Sequence, residues 1–435
     1  MGQLVNIAIR SLLQHRLRSA VLATAIALVT LLMAVILGVA EGLNQTLIET
    51  STTLMSGHVN VGGFFKPTAG QAAPVVTRAS EVAALVRREV PELLYIAQRG
   101  RGWSKVISET NSKMFGLTGI DVDDEVGLKK VLVLKEGSLE ALKQPGSIIL
   151  FEDQARDLEV KVGEKVTLSA PTSRGVNNTL DVTVVGIAKS MGLMSQFSSF
   201  MNAKTLRELY QFNEDTTGAL QIYLPSGDLQ QVKKVQERLR LAFGNAGYQV
   251  MADDPRAFFF KFENVMREAW TGQKLDVTNW RDEVSFVSWT VDLMNYVAFF
   301  LGTVMLAIVC VGIMIVMWIS IRERTREIGA LRAIGMQRTG VLLMFLLEGF
   351  ALATFSTIAG ALAGAALSSV LNSAQIPLPI QAQLIMMSEK LVVIPTWQWA
   401  LKSGGFIIAV ITLISLIPSF IASLAKPVVA MSHVD

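Results

Sequence analysis

Four runs of uncharged, apolar residues decide what this chain can fold into. Ser19 to Ala40 gives 22 residues without a charge, Leu293 to Ile321 gives 29, and Ser403 to Ala425 gives 23. Thr339 to Ser388 is interrupted only by Glu348, and is long enough for one further span and a loop. At a rise of about 1.5 Å per residue, each run covers a hydrocarbon core about 30 Å thick. The composition agrees, with 51% hydrophobic and only 17% charged residues and a mean hydropathy of +0.44, outside the range of ordinary soluble domains. The predicted fold class is an α-helical membrane protein with four transmembrane helices, near 19–41, 294–320, 341–371 and 401–424. A large α+β extracytoplasmic domain, 42–292, separates the first two. A cleaved signal peptide competes for the first run, but the run exceeds the usual h-region and no small-residue cleavage site stands before Glu41.

Orientation follows from basic residues beside the spans, because Lys and Arg resist transfer during insertion. Arg10, Arg16 and Arg18 precede the first span, and Arg322, Arg324, Arg326, Arg332 and Arg338 fill the connection between the second and third. The connection between the third and fourth, 372–400, carries only Glu389 and Lys390. Both termini and segment 321–338 are therefore expected in the cytoplasm, with 42–292 and 372–400 outside. Trp280, Trp289, Trp397 and Trp399 fall near outer ends and Trp318 near an inner one, as amphipathic rings prefer. Residues 1–18 carry Leu4, Ile7, Ala8 and Leu12 at helical spacing, which predicts a cytoplasmic interfacial helix. Residues 425–435 form a cytoplasmic tail.

The outer region reads as a soluble domain. GHVNVGG and GSIILFED have strand character, and VKVGEKVTLSAP with LDVTVVGI reads as a hairpin joined by the loop Thr172 to Thr179. EVAALVRREV, TLRELY and DLQQVKKVQERLRLAF read as helices, the last capped by Asp228. Asp254 and Pro255 predict the start of a long helical approach to the second span, interrupted near Thr271 to Thr278. A core of its own is expected within Ser56 to Ala252. Phe258, Phe259, Phe260 and Phe262, with Phe64 and Phe65, suit either a core or a hydrophobic substrate surface.

Several chemistries are disfavoured. Cys310 is the single cysteine, and His15, His58 and His433 are far apart, so no zinc or HExxH signature exists and no catalytic residue is assigned. A net charge of +3 argues against nucleic acid. No GxxxxGK[ST] occurs, so no phosphate-cradling loop is found.

The patterned inner segment is IRERTREIGALRAIGMQR, Ile321 to Arg338. Read as one helix, it sets Ile328, Leu331 and Ala333 to Ile334 on an apolar side, leaves Arg324, Glu327 and Arg338 elsewhere, and offers Gly329 and Gly335 for close approach. In the third span Ser356, Gly360, Gly364 and Ser368 recur every four residues, a stripe suited to close helix contact. Glu348 lies near enough to the inner interface to snorkel or pair with a basic residue.

REIGALRAIGMQR resembles the coupling segment of the FtsX/MacB superfamily of four-span (type VII) ABC transporter permeases, approximately REIGxLRAxGxxR. The match falls at Arg326, Glu327, Ile328, Gly329, Leu331, Arg332, Ala333, Gly335 and Arg338. RSLLQHRLRSAVLATAIAL, GHVNV, GSIILFEDQARDLEVKVGEKVTL with VVGI, the pair Glu348 and Gly349, and Pro427 with Ala430 extend the likeness over most of the chain. In layout it is most similar to the lipoprotein-releasing permeases of the LolC/LolE type. MacB itself carries its ATPase on the same chain, and here that part is not found.

The resemblance implies a permease subunit in a bacterial inner membrane, with a periplasmic domain on stalk extensions of the first two spans. Its ATPase-coupling residues would be Arg326, Glu327, Ile328, Gly329, Leu331, Arg332, Gly335 and Arg338. The implied partners are a cytoplasmic ABC ATPase dimer, a second permease copy or paralogue, a periplasmic carrier or adaptor, and membrane lipid. ATP and Mg would belong to the ATPase, with no cofactor or metal on this chain. The implied function is extraction or export of a lipoprotein or other hydrophobic substrate, with Val35, Leu37, Leu293 and Phe299 as candidate contacts. The alternative is an FtsX-like mechanotransmitter that controls a periplasmic enzyme or pump without transport. A sensor or an outer-domain enzyme is a third reading.

Overall fold

The computed structural model describes residues 16–68, 70–172, 175–190, 195, 198–379, 382–383 and 390–424. Most of the expected interfacial helix, the tail and part of 372–400 lie outside them. The chain begins with α1 (Arg16–Ser51), a π-helical turn (Thr52–Ser56), β1 (Val59–Thr68), β2 (Gln71–Ala73), β3 (Val76–Thr77) and α2 (Ala79–Glu89). Then come β4 (Tyr95–Ile107), β5 (Ser112–Ile120), α3 (Leu128–Val131), β6 (Leu134–Gly137) and β7 (Ser147–Phe151). Next are α4 (Glu152–Leu158), β8 (Lys165–Pro171), β9 (Asn177–Ala188), β10 (Ser198–Asn202), α5 (Ala203–Tyr210) and β11 (Thr216–Thr217). β12 (Ala219–Tyr223), α6 (Leu229–Asn245), β13 (Gln249–Val250), α7 (Phe258–Arg267), β14 (Gly272–Asn279) and α8 (Trp280–Glu283) follow. Four helices close the described chain: α9 (Ser285–Glu323), α10 (Thr325–Ala333), α11 (Arg338–Ala374) and α12 (Trp397–Ser423).

The protein is an α-helical membrane protein with four spans, in α1, α9, α11 and α12, each long and apolar enough to cross a bilayer, and an α/β domain between the first two. It divides into two compact units, one of helices (within Met1–Asn44, Asp292–Pro377 and Lys390–Asp435) and one outer unit (within Gln45–Val291 and Leu378–Glu389).

In the helical unit, the small-residue stripe of α11 meets α1. A Cβ on Gly360 would stand 2.8 Å from Thr30 Cβ and 2.9 Å from Ala27 Cα, and one on Gly364 would stand 2.8 Å from Ala34 Cβ. Ser356 and Ser368 flank the contact and are buried. Gly349 faces Ser415 of α12 in the same way. Two of the buried hydroxyls bond back to their own helices, Thr30 to the Ile26 carbonyl (2.8 Å) and Ser368 to that of Gly364 (2.8 Å), which satisfies them without a polar neighbour. Gly38 and Gly42 of α1 admit the segment at Val392 to Ile394. Ile394 N–H donates to the Gly38 carbonyl (2.9 Å), and the Asn372 side chain brackets the backbone of Val393.

The outer unit is built on β4, whose two ends belong to different half-sheets. Its first half pairs with β12, which leads on to β1 and β14, and its second half pairs with β5 and β8. Val59, Val61, Ile222 and Val277 form one core with α2 and α6. Val106, Leu117, Leu150 and Val184 form another with α4 and α5. The hairpin β8–β9 pairs from Lys165↔Thr183 to Pro171↔Asn177. The first strand ends at Pro171 as expected and the second starts earlier, at Asn177, leaving a tip of 172–176, of which 173 and 174 lie outside the described residues. Asp228 caps α6 through Gln231 N–H (3.2 Å).

Three expectations are corrected. The approach to the second span is not a long helix from Pro255. Asp254 pairs with Arg256 instead of capping, α7 starts at Phe258, and Gly272 at φ +91° turns the chain into β14. A core confined to Ser56 to Ala252 omits β14, which pairs with β1 over eight positions from Val59↔Asn279 to Lys66↔Gly272. Segment 321–338 is not one helix, because α9 ends at Glu323, α10 covers nine residues, and Gly335 at φ +108° makes a turn before α11.

Candidate functional site

The inner connection is a short helix fixed on one side and open on the other. Ile328 is 1% exposed and packs among Val341, Met344 and Phe345 of α11, with Gly329 buried beside it and Leu331 half-buried. Arg324, at the break before α10, turns inward. It donates from Nη1 to Glu348 Oε2 of α11 (3.1 Å) and from Nε to Glu327 Oε2 (3.0 Å), and its guanidinium lies 5.4 Å from the Phe345 ring centre. At the far end, Arg332 Nη1 donates to the Ser423 carbonyl at the end of α12 (3.1 Å). An arginine suits each position because its planar fork reaches several acceptors at once. α10 is thereby tied to α11 and α12.

Its open side carries Arg326, Glu327, Gly335 and Arg338. Ile334 is 86% exposed there. The expectation that Ile334 shares a side with Ile328 and Leu331 is corrected: it stands about 120° around the helix from Ile328 and faces outward, and Met336 N–H returns to the Leu331 carbonyl, ending the helix. Arg324 was likewise read as available and is instead buried. The signal for its pairing was Glu348, the single acid within the third apolar run.

Among the four candidate substrate contacts, Val35 and Leu37 are half-buried on α1, while Leu293 and Phe299 are exposed on α9. α1 and α9 approach at Met33 and Gly302, where an added Cβ would lie 3.1 Å from the Met33 methyl. The phenylalanines divide. Phe64 is buried against Phe262, whereas Phe258, Phe259 and Phe260 line a groove of the outer unit. Among the described residues no group of three or more His, Cys, Asp and Glu is placed to hold a metal.

Comparison with known proteins bears directly on this arrangement. Residues 19–242 match the MacB-like periplasmic core domain and residues 299–427 the FtsX-like permease C-terminal family. The chain belongs to the FtsX/MacB-like ABC transporter permeases. Curated relatives include the uncharacterized ABC transporter permease YvrN of Bacillus subtilis (strain 168), 35% identical over 122 residues, which are 28% of this chain and 26% of the relative. The uncharacterized ABC transporter permease MJ1507 of Methanocaldococcus jannaschii is 24% identical over 219 residues, 50% of this chain and 46% of the relative. The chain thus spans less than half the length of the curated relatives it matches. A solved structure, the extracellular domain of the noncanonic ABC-type transporter YknZ from Gram-positive bacteria, aligns with 13% identity and a TM-score of 0.31, covering 50% of this chain and 98% of that one. The periplasmic region of MacB from Actinobacillus actinomycetemcomitans gives the same identity and TM-score over 44% and 86%. As an FtsX/MacB-like permease, the chain is a multi-pass membrane protein, and most of its outer unit falls within the match to the MacB-like periplasmic core.

Proposed function

We propose that this permease couples ATP hydrolysis by a separate cytoplasmic ATPase dimer to motion of its periplasmic domain, and thereby extracts or exports a lipoprotein or other hydrophobic substrate. The supporting observation is α10, held by Ile328, Arg324–Glu348 and Arg332–Ser423 on one side and open at Ile334, Arg326 and Arg338 on the other. An exposed isoleucine among arginines suits an apolar pocket with an acidic rim on the ATPase. In this reading both termini are cytoplasmic, and substrate enters laterally between the first span of one permease and the second span of its partner, near Val35, Leu37, Leu293 and Phe299.

The coupling half is tested by Ile334→Asp and Glu327→Lys. Both should leave membrane insertion intact and abolish substrate-linked ATP turnover. Variants that bind the ATPase and work normally would overturn the docking assignment. The substrate half is tested by photo-crosslinkers at the four span positions, which should capture lipoprotein or lipid in the nucleotide-free state and lose it when ATP binds. Capture of a periplasmic protein by the outer domain alone, without any lipidic adduct, favours mechanotransmission.

A further inference from the structure

A groove of about 440 Å³ opens in the outer unit where β4 passes from one half-sheet to the other. Its floor is the face of β4 bearing Arg99, Arg101 and Trp103. On the neighbouring strand Gly116 stands opposite Trp103 and Thr118 opposite Arg101, so no side chain fills the space beside the indole. The other face of β4 is closed, because Gly100 and Gly102 lie directly under Leu206 and Tyr210 of α5. Leu54 and Met55 of the π-helical turn also line the groove, and π-turns often mark functional positions. The first turn of α7 adds Phe258, Phe259 and Phe260. Trp103, Phe259 and Phe260 are 46%, 37% and 50% exposed, so three large rings are presented where no core uses them.

The polar groups of the groove are unequal. Arg99 is fully engaged, by Glu125 and by the carbonyls of Thr53 and Leu54. Arg101 is not. Its side chain is nine-tenths buried, its Nη2 donates to Asn60 Oδ1 (3.0 Å) and at long range to Glu283 Oε2 (3.4 Å), and the Phe258 ring centre lies 4.0 Å from its Cζ. Nε and Nη1 have no acceptor among the described residues. A guanidinium has five donors, and since Nε and Nη1 are not sealed from solvent they can exchange water for an incoming acceptor. Burial also lowers the Arg101 pKa, against the opposing pull of Glu283 and Asp276.

We propose that this groove binds an acyl chain, with its carboxylate or ester carbonyl accepting from Arg101 and its methylenes lying against Trp103, Phe259 and Phe260. The volume falls in the range of small-molecule sites, and a mostly apolar wall with one convergent donor is their usual make-up. A carboxylate or carbonyl head answers the idle donors, and an aliphatic chain answers the aromatic mouth. The site adds to the coupling reading without depending on it, since it lies wholly within the outer unit and needs no nucleotide.

The test uses the full chain in phosphatidylcholine nanodiscs without ATPase. Three probes are applied: a diazirine-bearing palmitate, the matching fatty alcohol, and a phosphatidylcholine with the diazirine on its acyl chain. Labelled residues are mapped by mass spectrometry. The expected result is labelling at 103 or 258–260 by the acid or by the phospholipid. The first source points to a free fatty acid and the second to a lipid-borne chain. Trp103→Ala with Phe260→Ala, both at exposed positions, should cut labelling at least fivefold at an unchanged melting temperature. If the acid labels, Arg101→Gln should abolish the preference for acid over alcohol. Labelling confined to the spans, labelling by the alcohol as strong as by the acid and the phospholipid, or equal labelling in the aromatic variant would each overturn the proposal.

Discussion

The pair Arg324–Glu348 offers a sharp energetic test of how the inner connection is held. The two groups are 3.1 Å apart, with side chains 9% and 11% exposed. At that distance Coulomb attraction is about 5 kcal/mol for an effective dielectric constant of about 20, and desolvation of both charges offsets most of it. Removing one partner leaves the other's desolvation uncompensated, at a cost of about 3–5 kcal/mol, whereas replacing both with apolar groups is close to neutral. Glu348→Leu should fall at the lower end, about 3 kcal/mol, because Glu327 still accepts from Arg324 Nε. Arg324→Met should cost at least as much. The double variant should return to within about 1 kcal/mol of the parent, since the Arg324–Glu327 bridge that it also loses is largely exposed on the Glu327 side and contributes little. Reversible unfolding of the full chain by SDS titration in mixed micelles measures all four corners of the cycle. Additive losses, with the double variant as unstable as the sum of the singles, would refute the claim that the two charges hold one another.

In the same assay Gly360→Ala should destabilise by about 1–3 kcal/mol through overpacking against Ala27 and Thr30, while Gly405→Ala, with nothing within 4 Å, should be neutral or slightly stabilising. Two groups of the outer unit, His58 half-buried and Asp276 buried, should give opposite pH trends. Burial lowers the pKa of His58, so the unfolded chain binds the extra proton and His58 costs stability as pH falls below about 6.5. Burial pushes Asp276 up to about 6 against the pull of Lys261, so the folded chain holds its proton and Asp276 adds stability as pH falls from 6 towards 4. Thermal melts should therefore show His58→Asn flattening the loss on acidification and Asp276→Asn steepening it; identical profiles would exclude both assignments. A fragment covering 45–291 should melt cooperatively by circular dichroism, and one ending at Ala252 should not, because it lacks the strand that covers β1.

What could be read in the sequence were features written in long, local patterns: four apolar runs, the hairpin at Lys165 to Ala188, and the Asp228 cap. The coupling residues were marked by a motif, but their directions were not. Ile328 and Ile334 are six residues apart, about 120° around a helix, so Ile328 is buried while Ile334 is exposed. β14 escaped because only Leu275 and Val277 carry its inward alternation, and both its partners are more than twenty residues away in sequence. The groove escaped for a similar reason, since the space beside Trp103 depends on its register with Gly116 and on the arrival of α7, which begins far downstream at Phe258.

The pairing of β1 with β14 has a consequence for how such a chain can evolve. Val59 lies opposite Asn279, so the strand that begins the outer unit and the strand that ends it are bonded side by side with their termini at the same edge. A domain whose ends emerge together can be inserted into, enlarged within or removed from a host sequence by closing a short gap. The cost of tethering its ends grows only logarithmically with what lies between them. The outer unit, within 45–291, is thus a segment whose first and last strands lie together, free to change size by insertion between them.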